Sequence, residues 1–170
     1  MAIVNQPAHT DDPVINKLRN AIIHRALWMG FILKEAMERG LDWEQLGREA
    51  IFKVGCIHGD GIKERMDAPD SLVSFAQTFF TEDIKKIFEI KVAKLTEEVV
   101  ELEYGYCPLL VAWQQIGFEG KLLETLCEIA MCGDHGIKSR FDWIDFSLGK
   151  TIAQGHHPCE LTFRRKPKLS

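Results

Sequence analysis

The stretch IFEIKVAKLTEEVVELEYGY, residues 87–106, decides how this chain folds. In its second run Val100, Leu102, Tyr104 and Tyr106 fall on one side, and Glu101 and Glu103 on the other. A period of two marks a strand with one face packed and one in water. Thr96-Glu97-Glu98 separates two such runs, so the segment reads as an antiparallel hairpin.

Upstream the period becomes helical. Asp11-Asp12-Pro13 supplies an N-cap and a proline at the first helical position. Ile15, Leu18, Ile22, Met29 and Leu33 then continue at helical spacing until Gly40. Asp42, with Gln45 three residues on, opens a second helix whose apolar face is Leu46, Ala50, Ile51 and Val54. Gly55 is expected to end it, leaving Gly55–Gly61 as a loop or junction. Ser71 to Phe88 reads as helical, with a fresh N-cap at Thr81.

Downstream, Cys107-Pro108 closes the strand and starts a helix through about Ile116. Another helix runs from about Gly120 to Cys132, and Gly133 either interrupts it or is carried within it. Ile144, Phe146 and Leu148 alternate in one strand, and Cys159, Leu161 and Phe163 in another, with Gly155-His156-His157-Pro158 in the turn between. The expected fold is α+β. A helical N-terminal half (about 1–86) precedes two β-hairpins forming a four-stranded antiparallel sheet with helices between them (about 87–166). All of it belongs to a single domain, 1–170.

With 46% hydrophobic and 27% charged residues among 170, the chain can bury a core unaided. No apolar run approaches the roughly 20 residues that span a bilayer. The opening residues, from Met1, lack a signal-peptide pattern, so a cytoplasmic location without a membrane partner is expected. The net charge of −4 argues against nucleic acid as a partner. The basic run Arg164-Arg165-Lys166-Pro167-Lys168 reads as a solvated tail. The expected partner is a small-molecule substrate, and apolar residues of the first helix, where exposed, would suit a homodimer.

Five cysteines without an export signal argue against a disulfide framework. Each is a buried hydrophobe, a metal ligand or a nucleophile. Cys107 stands where an N-cap belongs, facing free backbone N–H groups and the positive end of a helix dipole. That setting favours the thiolate; the alternative is a small apolar residue packed where strand meets helix. Cys127 and Asp134, seven apart, share a face of an unbroken helix, with His135 beside them. A carboxylate and a histidine near a cysteine can act as base and acid, and structural cysteines on a buried face are the alternative. Cys159 follows His156-His157-Pro158, a set that could donate metal ligands but lacks the paired spacing of a structural zinc site. No cofactor is therefore expected, zinc being the ion such a set would take. Walker, Gly-x-Ser-x-Gly, dinucleotide and His-Glu-x-x-His motifs are all missing from the sequence.

The ordered series Tyr106-Cys107-Pro108-Leu109, Trp113, Ile116-Gly117, Cys127, Gly149-Lys150-Thr151-Ile152-Ala153-Gln154-Gly155 and Cys159-Glu160-Leu161-Thr162-Phe163-Arg164 resembles the L-2-amino-thiazoline-4-carboxylic acid hydrolase family of small bacterial proteins. Its members show a Cys-Pro before a helix, a cysteine on the next helix, and a closing hairpin with a Thr-(Ile/Leu)-x-x-Gly-x-x-x-Cys pattern. The likeness covers about Tyr104 to Arg164, and the matching positions are Cys107, Cys127, Thr151, Gly155 and Cys159. His156-His157-Pro158 departs from the pattern, where acidic residues are usual. The family name implies opening of a thiazoline ring to N-carbamoyl-L-cysteine.

Three expectations follow. In the first, a hydrolase attacks a small cyclic C–N substrate through Cys107. Asp134 or His135 then moves protons, Cys127, Thr151 and Cys159 line the substrate, and Arg140 or Lys150 pairs with a substrate carboxylate. The second gathers Cys107, Cys127, Cys159 and a histidine on a metal. The third is a non-enzymatic binding or sensor domain, whose layout is similar to that of 4-vinyl reductase domains.

Overall fold

The computed structural model describes residues 3–167; residues 1–2 and 168–170 lie outside the described residues. Helix α1 spans Pro13–Glu38. Asp12 caps it by accepting the Val14 and Ile15 N–H groups, and Gly40 at φ +70° turns the chain away. Helix α2 spans Trp43–Arg65 under the Asp42 cap. Ser71 and Thr81 cap α3 (Leu72–Phe79) and α4 (Glu82–Phe88), the break expected at Thr81. Strands β1 (Ile90–Leu95) and β2 (Val99–Tyr104) form the hairpin read from the alternation. Then come α5 (Pro108–Gln115), α6 (Gly120–Lys138), β3 (Ile144–Leu148), a 3-10 turn (Ile152–Gln154) and β4 (Cys159–Arg165). The sheet is antiparallel throughout, in the order β1-β2-β4-β3. The fold is α+β, as expected.

Two readings are corrected. Gly55 does not stop α2, which continues for three more turns through Gly59 and Gly61. Its glycines mark a close approach: a Cβ at Gly55 would strike the Gly133 carbonyl oxygen of α6. One at Gly59 would lie 2.8 Å from the Ile137 carbonyl oxygen. Glycine here serves contact with α6, and the cost of about 1 kcal/mol per helical glycine is offset by packing. The basic run is likewise no free tail. Arg164 and Arg165 end β4, Arg165 covers the Trp143 ring at 4.7 Å, and Lys166 reaches Asp145 at 3.8 Å.

Two apolar clusters result. One joins α2, α3 and the end of α6 to the inner face of the sheet, around Phe75, Phe141 and Phe163. The other joins α1, α5, α6 and the 3-10 turn around Trp113, Leu126 and Ile152. On the outer sides of α1 and α2, Trp28, Phe31, Ile32, Leu46, Val54 and Ile57 stay exposed. No described helix is long and apolar enough to cross a membrane.

The N-terminal segment is tied down by Arg19, only 4% exposed, which pairs with Glu89 at 2.9 Å and donates to the Ile87 and Lys86 carbonyls. Burial raises the Glu89 carboxyl, but N–H donors from Ala8 and His9 together with Arg19 outweigh it, and the net displacement is downward. A depressed carboxylate gives stability above its unfolded pKa that is lost as pH falls through the folded value. Arg19→Ala is expected to cost about 3 kcal/mol by stranding Glu89, read as a shift of the urea midpoint at pH 7. An unshifted midpoint would show that the pair is not structural.

Candidate functional site

Cys107 takes the N-cap position expected of it: α5 begins at Pro108 and the Cys107 backbone is extended, but its side chain makes no capping hydrogen bond. Asn5 holds that residue in place from the far end of the chain. Its Nδ2 donates to the Cys107 carbonyl at 2.9 Å and its Oδ1 accepts the Cys107 N–H at 2.8 Å. Nothing in the sequence around Asn5 signals this, because the pairing spans 102 residues.

Helix α6 runs through Gly133 without a break. Cys127 and Asp134 therefore share one stripe, about 20° apart at 100° per residue. That stripe faces the end of the sheet, where Tyr104 of β2 pairs directly with Cys159 of β4. Cys107 and Cys127 border the helical cluster, Tyr104 borders the sheet cluster, and Cys159 borders both. Cys127 feels Cys107, Cys159 and Asp134, and Tyr104 feels Asp134, Cys159 and Cys107. Each of the five keeps part of its surface accessible. Two surface grooves, of about 460 and 270 Å³, lie along α2 and share none of these residues.

The electrostatics correct one expectation. Burial pushes the Cys107 thiol up, and the N–H groups of Leu110 and Leu109 lower it without reversing the net direction. The resting form is the thiol. The helix start does favour the thiolate, but loss of water outweighs two donors. Burial also raises Cys127 strongly, and it pushes Cys159 up to about 12 despite the Ile152 N–H that Cys159 Sγ accepts at 3.1 Å. Asp134, with only its own N–H as donor, is raised by burial to about 7. Burial holds the Tyr104 phenol well above its usual range, and Asp134 adds to this. Tyr104 was legible only as an inward strand residue, since its partners come from α5, α6 and β4.

Other expected site residues are not brought together. His135 is rotated about 100° from Asp134, and packs edge-on against Phe146 at 5.1 Å. Burial lowers its pKa, with Lys138 adding to the effect. Arg140 lies in the turn just past the end of α6, where its Nε donates to Asp60 of α2 at 2.6 Å. It is not placed to meet a substrate at Cys107. Lys150 is exposed. The Thr151 hydroxyl is occupied in a capping box with Gln154, which holds the 3-10 turn above Cys159. Among the described residues no three His, Cys, Asp or Glu side chains are grouped for a metal. His156 is exposed, and His157 Nε2 lies 2.9 Å from the Gly105 carbonyl oxygen.

A protein-family model described as L-2-amino-thiazoline-4-carboxylic acid hydrolase matches residues 19–163. Among solved structures, a trafficking protein particle complex subunit 3 from Naegleria fowleri, covalently bound to palmitic acid, is similar with a TM-score of 0.57. Identity is 12%, over 87% of this chain and 96% of that one, so the likeness is one of fold. No curated protein matches the chain.

Proposed function

This chain belongs to the L-2-amino-thiazoline-4-carboxylic acid hydrolase family, and on that premise we propose that it opens a small cyclic amidine of the thiazoline type. Cys107 is the nucleophile and Asp134 the proton carrier. The observation that carries this reading is the seam between the two apolar clusters. Cys107 at the start of α5 borders the same cluster as Cys127, whose stripe on α6 carries the Asp134 carboxyl, raised by burial to about 7. An apolar pocket without titratable groups would have favoured a passive binder instead.

The Cys107 thiol gives its proton to ionised Asp134, and the sulfur bonds to the amidine carbon. The ring carbon–sulfur bond breaks, and the departing ring sulfur takes the proton back from Asp134. Water then attacks the carbon held on Cys107, and one of its protons passes to the amidine nitrogen; the new carbonyl forms as Cys107 leaves and takes the other. The positive end of α5 stabilises charge on sulfur as it leaves. Tyr104, neutral at all moderate pH, can donate to the nitrogen that gains charge in the first step.

Because Asp134 must be ionised to accept the Cys107 proton, kcat/KM is expected to rise through about pH 7. Asp134→Asn is expected to remove that limb. Stability moves the other way. A carboxyl raised in the folded state leaves the unfolded chain with fewer protons between about pH 4 and pH 7, so stability falls across that window. Asp134→Asn is therefore expected to gain about 2 kcal/mol at pH 8, a value reduced for partial exposure of the group. Urea unfolding of both proteins at pH 5 and pH 8 checks this, and no gain at pH 8 would remove Asp134 as a strained buried acid.

A second reading is favoured by the resting thiols: a half-buried cysteine at the seam takes an acyl chain. In the trafficking subunit of similar fold the ligand is covalently bound palmitic acid. The intact mass of purified protein, before and after hydroxylamine, separates the two readings. A hydroxylamine-labile acyl increment supports the second.

A further inference from the structure

Residues 3–10 carry no helix or strand and are fastened at two places. At the first, the Asn5 side chain, only 7% exposed, closes its pair of hydrogen bonds on the carbonyl and N–H of Cys107. At the second, Glu89 accepts the Ala8 N–H through Oε2 and the His9 N–H through Oε1, both at 3.0 Å. Arg19 completes this latch by pairing with Glu89 and donating to the His9 carbonyl. Glu89 presents its carboxylate from a left-handed backbone, φ +52°, which a residue with a Cβ keeps only where its surroundings hold it. Both fastenings bear on one junction. The Gly105 and Tyr106 N–H groups, just before Cys107, donate to the Glu89 and Phe88 carbonyls at 3.1 and 3.0 Å. Among the described residues no backbone–backbone hydrogen bond engages 3–10, so side chains alone hold the segment down. Such a segment can open while the packed helices stay folded.

We propose that residues 3–10 form a strap that couples the Arg19–Glu89 latch to Cys107, so that opening the latch frees this cysteine without unfolding the domain. Only Gln6 and Pro7 lie between Asn5 and Ala8, and proline fixes its own φ. A closed latch therefore keeps the Asn5 amide beside Cys107 at high effective concentration; an open one leaves it to find Cys107 from a loose chain. Cys107 is half-buried, and an electrophile reaches it more readily once the start of α5 loosens. That the strap governs turnover rests on the hydrolase reading; the coupling itself does not.

The test is alkylation of the folded protein by iodoacetamide at pH 8, with each cysteine resolved by peptide mass spectrometry. Asn5→Ala is expected to raise the Cys107 rate at least about tenfold, because two hydrogen bonds are lost together. Glu89→Gln leaves Asn5 in place and is expected to raise the rate at least about threefold. Ala8→Pro removes one donor from the strap side, spares the Arg19–Glu89 pair and is expected to act in the same direction. Gln6→Ala, at an exposed strap residue, should match wild type. Cys127 and Cys159, which pack on the same apolar cluster as Cys107, should keep their rates in every variant. In the double variant Asn5→Ala/Glu89→Gln the Cys107 rate should not exceed that of Asn5→Ala, since the latch acts through Asn5. A Cys107 rate unmoved by both latch variants, effects that multiply in the double variant, or an equal rise at all three cysteines overturns the proposal. The hydrolase reading is judged apart, by wild-type turnover. Release of Cys107 in a protein without turnover keeps the strap and removes the hydrolase; turnover without release does the reverse.

Discussion

Cys107→Ser is expected to lower turnover of a cyclic isothiourea by at least about 10³-fold, or about 4 kcal/mol of transition-state stabilisation. Serine is close in size to the cysteine that starts α5. It is also a better N-cap than cysteine, so folding stability should be unchanged or slightly higher. Loss of activity therefore cannot be blamed on loss of structure. An oxygen in this position is a far weaker nucleophile, because the seam that already keeps a thiol protonated holds a hydroxyl still more firmly. Initial rates at pH 8 measure the loss. Intact mass of rapidly quenched wild-type protein should reveal an adduct that the serine variant lacks. Turnover retained at a tenth or more of wild type would end the thiolate mechanism and direct attention to water activated by Asp134.

Gly136→Val is expected to destabilise the protein by about 5 kcal/mol or to prevent folding. A Cβ there would run into the Phe52 carbonyl oxygen and sit 2.9 Å from the Cys56 nitrogen and from the Gly55 Cα. These are backbone atoms of α2, so no rotamer change relieves the clash. The two helices must part along their contact, and the apolar cluster beside it opens with them. Gly61→Ala is the control on the same helix. Its Cβ would approach only the flexible end of Arg65, at 3.2 Å, and alanine's helix propensity should add up to about 1 kcal/mol. Thermal and urea unfolding of the two variants read the contrast. Similar stability in both would mean that α2 and α6 are not held by this approach.

The same glycines show where sequence reading fails. Gly55 looks like a helix stop because glycine is a poor helix former in isolation. Whether it stops a helix depends on what lies against it, and its partner, Gly133, is 78 positions away. Gly133 itself could be read either way until α2 was in place. Arg140 was read as a free cation for substrate, but Asp60 of α2 claims it. In each case the deciding neighbour comes from a distant part of the chain.

What the sequence determined by itself is local. Asp12-Pro13, Asp42, Ser71, Thr81 and Cys107-Pro108 mark helix starts, because capping needs only a few neighbouring residues. The alternation at 99–104 marks the strand, because successive side chains point to opposite faces. The ordered series through Cys107, Cys127 and Cys159 resembled the family whose model matches residues 19–163, and the three cysteines pack against one apolar cluster. Tertiary structure alone decided the protonation of that seam. Asp134 at about 7, a protonated Cys107 and the recruitment of Tyr104 and Asn5 all follow from groups brought from other elements. Desolvation is a property of the assembled surroundings, and residue type and spacing do not encode it.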